Sequence, residues 1–166
     1  DRADGLPFGV QLLAPAGHDH SLIDLAALWC GEPVPPRASD DDVLLAVAGA
    51  HLTGQPLNHQ LVRRGAHLAY TARTATSYRM YLVEGPRPGL TRTLSGEPGP
   101  GIEVEVWRMP SFELGAFAST ITPPLALGPL ELSDGQQVLG FLCTADAADP
   151  TQDITAAGSW RAYLAG

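Results

Sequence analysis

The stretch Val43-Leu-Leu-Ala-Val-Ala-Gly-Ala50 contains no polar side chain. An apolar run without alternation suits a strand buried on both faces, so it reads as the central strand of a sheet. A loop of small residues, Gly49 to Pro56, follows it. The spacing then predicts a helix from Leu57 to Arg64, with Pro56 at its start and Gly65 at its end. His67–Arg73 and Tyr78–Glu84 are strand-like, and Leu90–Leu94 is a short strand in the Gly- and Pro-rich stretch 85–101. Ile102 to Trp107 alternates, with Ile102, Val104 and Val106 on one face and Glu103, Glu105 and Trp107 on the other. Pro110 opens a predicted helix through Phe117. Leu130–Ser133 and Gln136–Cys143 flank Asp134-Gly135, a strong hairpin signal, and Asp153 to Leu164 reads as a loop ending in a turn. This order indicates an α+β fold, its mostly antiparallel sheet curled into a small barrel with flanking short helices.

Residues 1–31 read as a separate unit. Leu6–Leu13 has strand character. Asp19 is placed to cap a helix with an apolar stripe of Leu22, Ile23, Leu25, Ala26, Leu28 and Trp29, and Gly31 stops it. One strand and one helix cannot enclose a core, so this segment is expected to be the end of a domain whose body lies upstream. The chain opens on Asp1, which suggests a piece of a longer polypeptide. Residues 32–42, with prolines and an acidic triplet, are a linker by composition, leaving 43–166 as the second domain.

Composition removes several classes of function. The net charge is −8 and all 10 cationic residues are arginines. Without lysine there is no lysine base, Schiff base or P-loop. An acidic chain without basic clusters argues against nucleic-acid and anionic-membrane partners, and no apolar run reaches the roughly 18 residues of a membrane span. Cys30 and Cys143 are isolated, which suits buried hydrophobes in a reducing cytosol better than a disulfide scaffold.

The loop after the apolar run carries the best candidate chemistry. Gly49, Ala50 and Gly54 let a ligand approach the backbone, and unpaired N–H groups at a helix start favour an anion. Asn58 and His59 fall in the predicted first turn. His59 can exchange a proton near neutral pH, and Asn58 can donate to an oxyanion. A His59 that only caps or packs the helix is the alternative. His51 either lines the same pocket or packs beside it. His18-Asp-His20 lacks a third ligand and reads as a surface loop, so no metal site is expected. Glu103 and Glu105 could suggest paired carboxylates, but that face reads as exposed or near the barrel mouth.

The stretch Val47-Ala-Gly-Ala-His-Leu-Thr-Gly-Gln-Pro-Leu-Asn-His-Gln-Leu61 resembles the loop and helix that open the γ-glutamyl cyclotransferase-like fold. It is still more similar to the C-terminal domain of allophanate hydrolases. The likeness continues through Arg64-Gly65, Ala72-Arg73-Thr74, Tyr78-Arg79-Met80-Tyr81, Arg87-Pro88-Gly89-Leu90, Ile102 to Trp107, Gly140 to Cys143 and the closing Trp160-Arg-Ala-Tyr-Leu164. The segment Gly5-Leu-Pro-Phe-Gly-Val-Gln-Leu12 and the Asp19 helix resemble the last strand and helix of amidase-signature enzymes, which precede this domain in the family.

What this resemblance implies is a cofactor-independent second step in urea breakdown. An amidase domain of the same polypeptide would deaminate allophanate to N-carboxycarbamate, and this domain would convert that product to carbon dioxide and ammonia. The family's essential histidine falls on His59. A small dianionic substrate would be held by the loop (Gly49, Ala50, His51, Leu52, Gly54), by Asn58 and by Arg73 or Arg79, with Arg64 a third candidate and Tyr78 a hydroxyl donor. Surface or salt-bridged arginines and a core tyrosine are the alternatives at those positions. The resemblance further implies a homodimer in the cytoplasm. Cyclotransferases proper carry a tyrosine where this chain has Ala48, and a glutamate base in a region where 117–124 has no carboxylate. A γ-glutamylamine cyclotransferase-like activity is therefore disfavoured. A non-catalytic oligomerisation or scaffold domain is the rival of a different class.

Overall fold

The computed structural model describes residues 9–14, 19–33, 42–85, 87–93 and 98–166. Its contacts divide into two units, Asp1–Ala38 and Ser39–Gly166. The first contains α1 (Asp19–Cys30). The second runs β1 (Asp42–Val47), α2 (His59–Val62), β2 (His67–Arg73), β3 (Tyr78–Val83), β4 (Arg87–Arg92), β5 (Glu103–Pro110), α3 (Ser111–Ala118), β6 (Leu125–Glu131), β7 (Gln137–Cys143) and α4 (Trp160–Ala165).

In the first unit, Gly31 ends α1 with a left-handed φ of 71°, while Glu32 N–H reaches Ala27 O at 2.8 Å and Gly31 N–H reaches Leu28 O at 3.3 Å. That is the paired bonding of a Schellman stop. Asp19 is the first helical residue. Of the strand expected over Leu6–Leu13, residues 6–8 lie outside the described residues and 9–13 form no strand. His18 and most of the expected linker, 34–41, also lie outside them. Cys30 is exposed rather than buried, because it sits on the last turn of α1 with solvent around it.

In the second unit the five-stranded sheet has the order β2-β5-β1-β7-β6, with β3 and β4 forming a separate hairpin. The apolar run does become the middle strand. Leu45 and Val47 point to one core with Trp107, Met109 and Phe117, whereas Ala46 points to the other with Val104, Val106 and Met80. Burial on both faces is the physical reason no polar residue interrupts it. All sheet pairings are antiparallel except β1 with β7, which is parallel. The edges β2 and β6 meet just past their ends, where Thr74 bridges Leu132, Ala75 N–H reaches Glu131 O and Ser133 N–H reaches Arg73 O. The sheet thus curls until its edges touch at one corner.

Several boundaries differ from the pattern reading. The helix expected over Leu57–Arg64 contracts to α2, because Leu57 N–H is drawn to Ala50 O and Asn58 N–H to Gln55 O. β4 begins at Arg87 because it pairs with β3 in register Val83↔Arg87; Leu94 lies outside the described residues. β6 begins at Leu125, earlier than expected. Gly128 and Pro129 weaken its strand signal, yet Pro129 is tolerated on an edge strand. The tail forms a true helix, α4, capped by Ser159 Oγ accepting from Ala162 N–H at 3.0 Å.

Candidate active site

The loop between β1 and α2 is a chain of tight turns. Leu52 N–H bonds Gly49 O at 2.9 Å, Gln55 N–H bonds Leu52 O at 2.9 Å, and Leu57 N–H bonds Ala50 O at 2.8 Å. Leu52 is driven into the core at 1% exposed, which anchors the middle of the loop. A side chain on Gly49 would collide with the Pro88 ring of β4, so the loop packs directly on the hairpin.

Beneath this contact lies a cavity of about 200 Å³. Its walls are largely apolar, from Val47, Leu57, Leu90, Ile121 and Phe141. The polar groups that face it are His51, Gln60, Arg87, Thr120 and Thr122, together with the loop backbone at Gly49 and Ala50. A small anion held there would meet few but converging donors, the usual construction of a ligand site.

His51 is fixed in three ways. Its ring stacks on Phe141 with centroids 5.1 Å apart and meets Phe117 edge-on at 5.4 Å. Nε2 donates to Gln60 Oε1 at 3.1 Å, leaving Nδ1 as the unprotonated nitrogen. Burial holds its pKa below the ordinary histidine value. The Gln60 bond pulls the other way and is outweighed, with the positive fields of His59 and Arg64 adding to the depression. Burial thus favours the neutral imidazole on the cavity wall.

His59 is exposed and does not line the cavity. Its Nδ1–H donates to Pro56 O at 2.9 Å, which orients the ring. It is near enough to act electrostatically on His51.

The remaining predicted residues separate. Gly49, Ala50 and His51 reach the cavity wall; Leu52 is core and Gly54 is an exposed turn residue with φ 80°. Asn58 Nδ2 donates to His51 O at 2.9 Å, so it braces the loop. The amides expected to be free at the helix start are engaged in turns, as Gln60 N–H is by Leu57 O and Leu61 N–H by Asn58 O. Arg73 lies away from the cavity, donating to Gly101 O at 2.9 Å. Tyr78 is 1% exposed, its hydroxyl accepting from Glu131 N–H, as a core tyrosine would. Arg79 is half-buried on β3 and does not line the cavity. Arg64 sits over the Phe117 ring at 5.5 Å and donates to Gln60 O at 2.9 Å.

Sequence reasoning missed Arg87, Gln60, Thr120 and Thr122. Arg87 is the guanidinium that reaches the cavity, with Nε donating to Glu84 O at 2.8 Å and Nη1 within 3.4 Å of Thr122 Oγ1. The available signal was its place beside Pro88. Glu105 also departs from expectation. It is 3% exposed, because Trp107 and Arg161 cover the face of β5 expected to be exposed or near the barrel mouth. Among the described residues, no three His, Cys, Asp or Glu side chains gather as metal ligands would. No described helix is long and apolar enough to cross a membrane.

The architecture is an α+β fold of the γ-glutamyl cyclotransferase-like type. An aig2-like protein from Mus musculus shares this fold at 17% identity and a TM-score of 0.50. The family model of the allophanate hydrolase C-terminal domain matches residues 43–165, and the chain belongs to that family. Urea amidolyase of Saccharomyces cerevisiae is 33% identical over 193 aligned positions, covering 98% of this chain and 10% of the relative. The chain thus spans about a tenth of that relative's length. An allophanate hydrolase from Kluyveromyces lactis shares 34% identity at a TM-score of 0.72, over 79% of this chain and 22% of that one. A uropathogenic E. coli-specific protein matches at 32% identity and a TM-score of 0.68, covering 75% of this chain and 96% of its own.

Proposed function

We propose that this domain converts N-carboxycarbamate to carbon dioxide and ammonia, acting on the product of an amidase domain in the same polypeptide. The observation that carries the reading is the cavity itself: small, mostly apolar, with His51, Gln60 and Arg87 converging on it. N-carboxycarbamate carries two carboxylates on one nitrogen. Breaking the first C–N bond leaves its electron pair on nitrogen, which takes a proton as neutral carbon dioxide departs. The resulting carbamate repeats the step, so one dianion and two protons give two carbon dioxide molecules and one ammonia. Arg87 suits the retained carboxylate. The apolar wall favours loss of charge from the departing one.

Proton supply divides between two histidines in this reading. His59 is the donor that exchanges with solvent through Nε2. His51, on the cavity wall, is the imidazole beside the substrate nitrogen and passes the proton on. The exposed Leu28 and Trp29 of α1, at 67% and 66%, support the first unit as the end of an amidase domain. A cytoplasmic homodimer completes the proposal.

The test is carbon dioxide release from allophanate by a purified amidase half with this chain added. Wild type is expected to accelerate release, and His51→Ala and His59→Ala each to lose roughly 100-fold of that acceleration, within the usual range for acid–base groups. Equal acceleration by His59→Ala removes it from the proton path. Equal acceleration by both variants ends the mechanism.

A further inference from the structure

Thr53, two residues beyond His51, is held on three sides. Its N–H and hydroxyl both donate to Glu105 Oε2, at 2.8 and 3.0 Å. Its carbonyl accepts from Arg161 Nη2 at 2.8 Å. That same nitrogen donates to Glu105 Oε1 at 2.7 Å, and Trp107 Nε1 donates to Oε2 at 3.2 Å. Glu105 stands on a strand paired on both sides, while Arg161 comes from the first turn of α4. A buried ion pair also needs hydrogen bonds on its remaining lone pairs and protons, and Arg161 Nη1 reaches Glu103 Oε1 at 3.4 Å as well. Here both ions also reach one exposed loop residue, whose exposure gives no packing reason for the arrangement.

On the other side of His51, the loop is gripped by Leu57 N–H on Ala50 O and by Asn58 Nδ2 on His51 O. The His51 backbone is therefore held by Asn58 on one side and, beyond the buried Leu52, by the Glu105–Arg161 pair on Thr53. We propose that Arg161 is a positioning residue: with Glu105 it fixes Thr53, and through Thr53 it sets where the His51 ring stands on the cavity wall. This rests on the cavity being the substrate site, and Arg161 does not itself line it. It makes α4 part of the working apparatus.

The test compares wild type with Arg161→Met and Arg161→Lys in two measurements, at a temperature where circular dichroism shows each variant folded. In the amidase-coupled assay, Arg161→Met is expected to lose roughly 10- to 100-fold of the carbon dioxide release rate, the scale of a misplaced catalytic group. Arg161→Lys is expected to regain most of that loss. By amide hydrogen exchange, residues 50–53 of Arg161→Met are expected to exchange about tenfold faster, with Leu45 and Val106 unchanged. If Arg161→Met does not fold, Thr53→Ala replaces it, with a loss of about threefold in the same assay and the same local exchange pattern. An unchanged rate in the folded variant overturns the proposal. So does exchange that quickens equally in β1 and β5, which marks a purely structural ion pair. If wild type itself fails to accelerate release, the substrate reading falls, and the locality of exchange alone decides whether Arg161 holds the loop.

Discussion

The side-chain amide of Asn58 donates to the backbone carbonyl of His51 over 2.9 Å, tying the start of α2 to the residue whose ring lines the cavity. One hydrogen bond therefore links the turn that carries His59 to the loop that carries His51. Replacing Asn58 by Asp sets a carboxylate oxygen against that carbonyl, with no donor left between them. Asn58→Asp is expected to lose about 1–3 kcal/mol of stability by urea denaturation, and Asn58→Ala about 1 kcal/mol. An Asp variant as stable as wild type would show that the bond does not hold the loop.

Gly49 has no room for a side chain. A Cβ there would overlap the Pro88 ring, whose Cδ would lie 2.9 Å away. Gly49→Ala is expected to cost about 1–3 kcal/mol, as overpacked sites do. Adding Pro88→Ala should return most of that loss, because the two positions share one contact. Thermal unfolding of the single and double variants checks the pair. Additive losses would place the strain elsewhere.

His51 titrates below the ordinary histidine value of 6.5, so the unfolded chain takes up its proton first as pH falls. Its contribution to stability is therefore full above pH 6.5 and erodes from there down to the lower folded value. The imidazole Cε1 proton, followed by NMR, should show a midpoint under 6.5 for His51. A midpoint at or above that value would mean that burial does not dominate its surroundings.

Glu105 acts in the same direction at lower pH. Burial pushes its carboxyl up, but the hydrogen bonds from Arg161, Thr53 and Trp107 outweigh it and hold the pKa below 4.5. The stabilisation is present above pH 4.5 and is lost as pH falls through the lower folded value. Glu105→Gln is expected to lose about 2–3 kcal/mol near neutrality, less than a fully buried pair because Arg161 is partly solvated. Its stability should also lack this component of the acid decline below pH 4.5, in denaturant titrations at stepped pH. A variant whose acid decline matches wild type would remove Glu105 from the linkage.

What the chain's order of residues determined by itself was local. The unbroken apolar run made β1 a middle strand, Gly31 stopped α1 through its positive φ, and Asp134-Gly135 turned β6 into β7. Alternation along β5 sorted Val104 and Val106 from Trp107. Each of these follows from the conformational limits or periodicity of a few adjacent residues. Tertiary structure decided the site. Which of His51 and His59 faces the cavity depends on how the loop turns, and that is set by Leu52 in the core, Pro88 against Gly49, and Arg161 and Glu105 on Thr53. Arg87 reaches the same cavity only because the β3–β4 hairpin packs under the loop. Contacts between residues so far apart in the chain leave no periodic trace in the sequence, since each partner is free to look like an ordinary surface or turn residue until the fold brings them together.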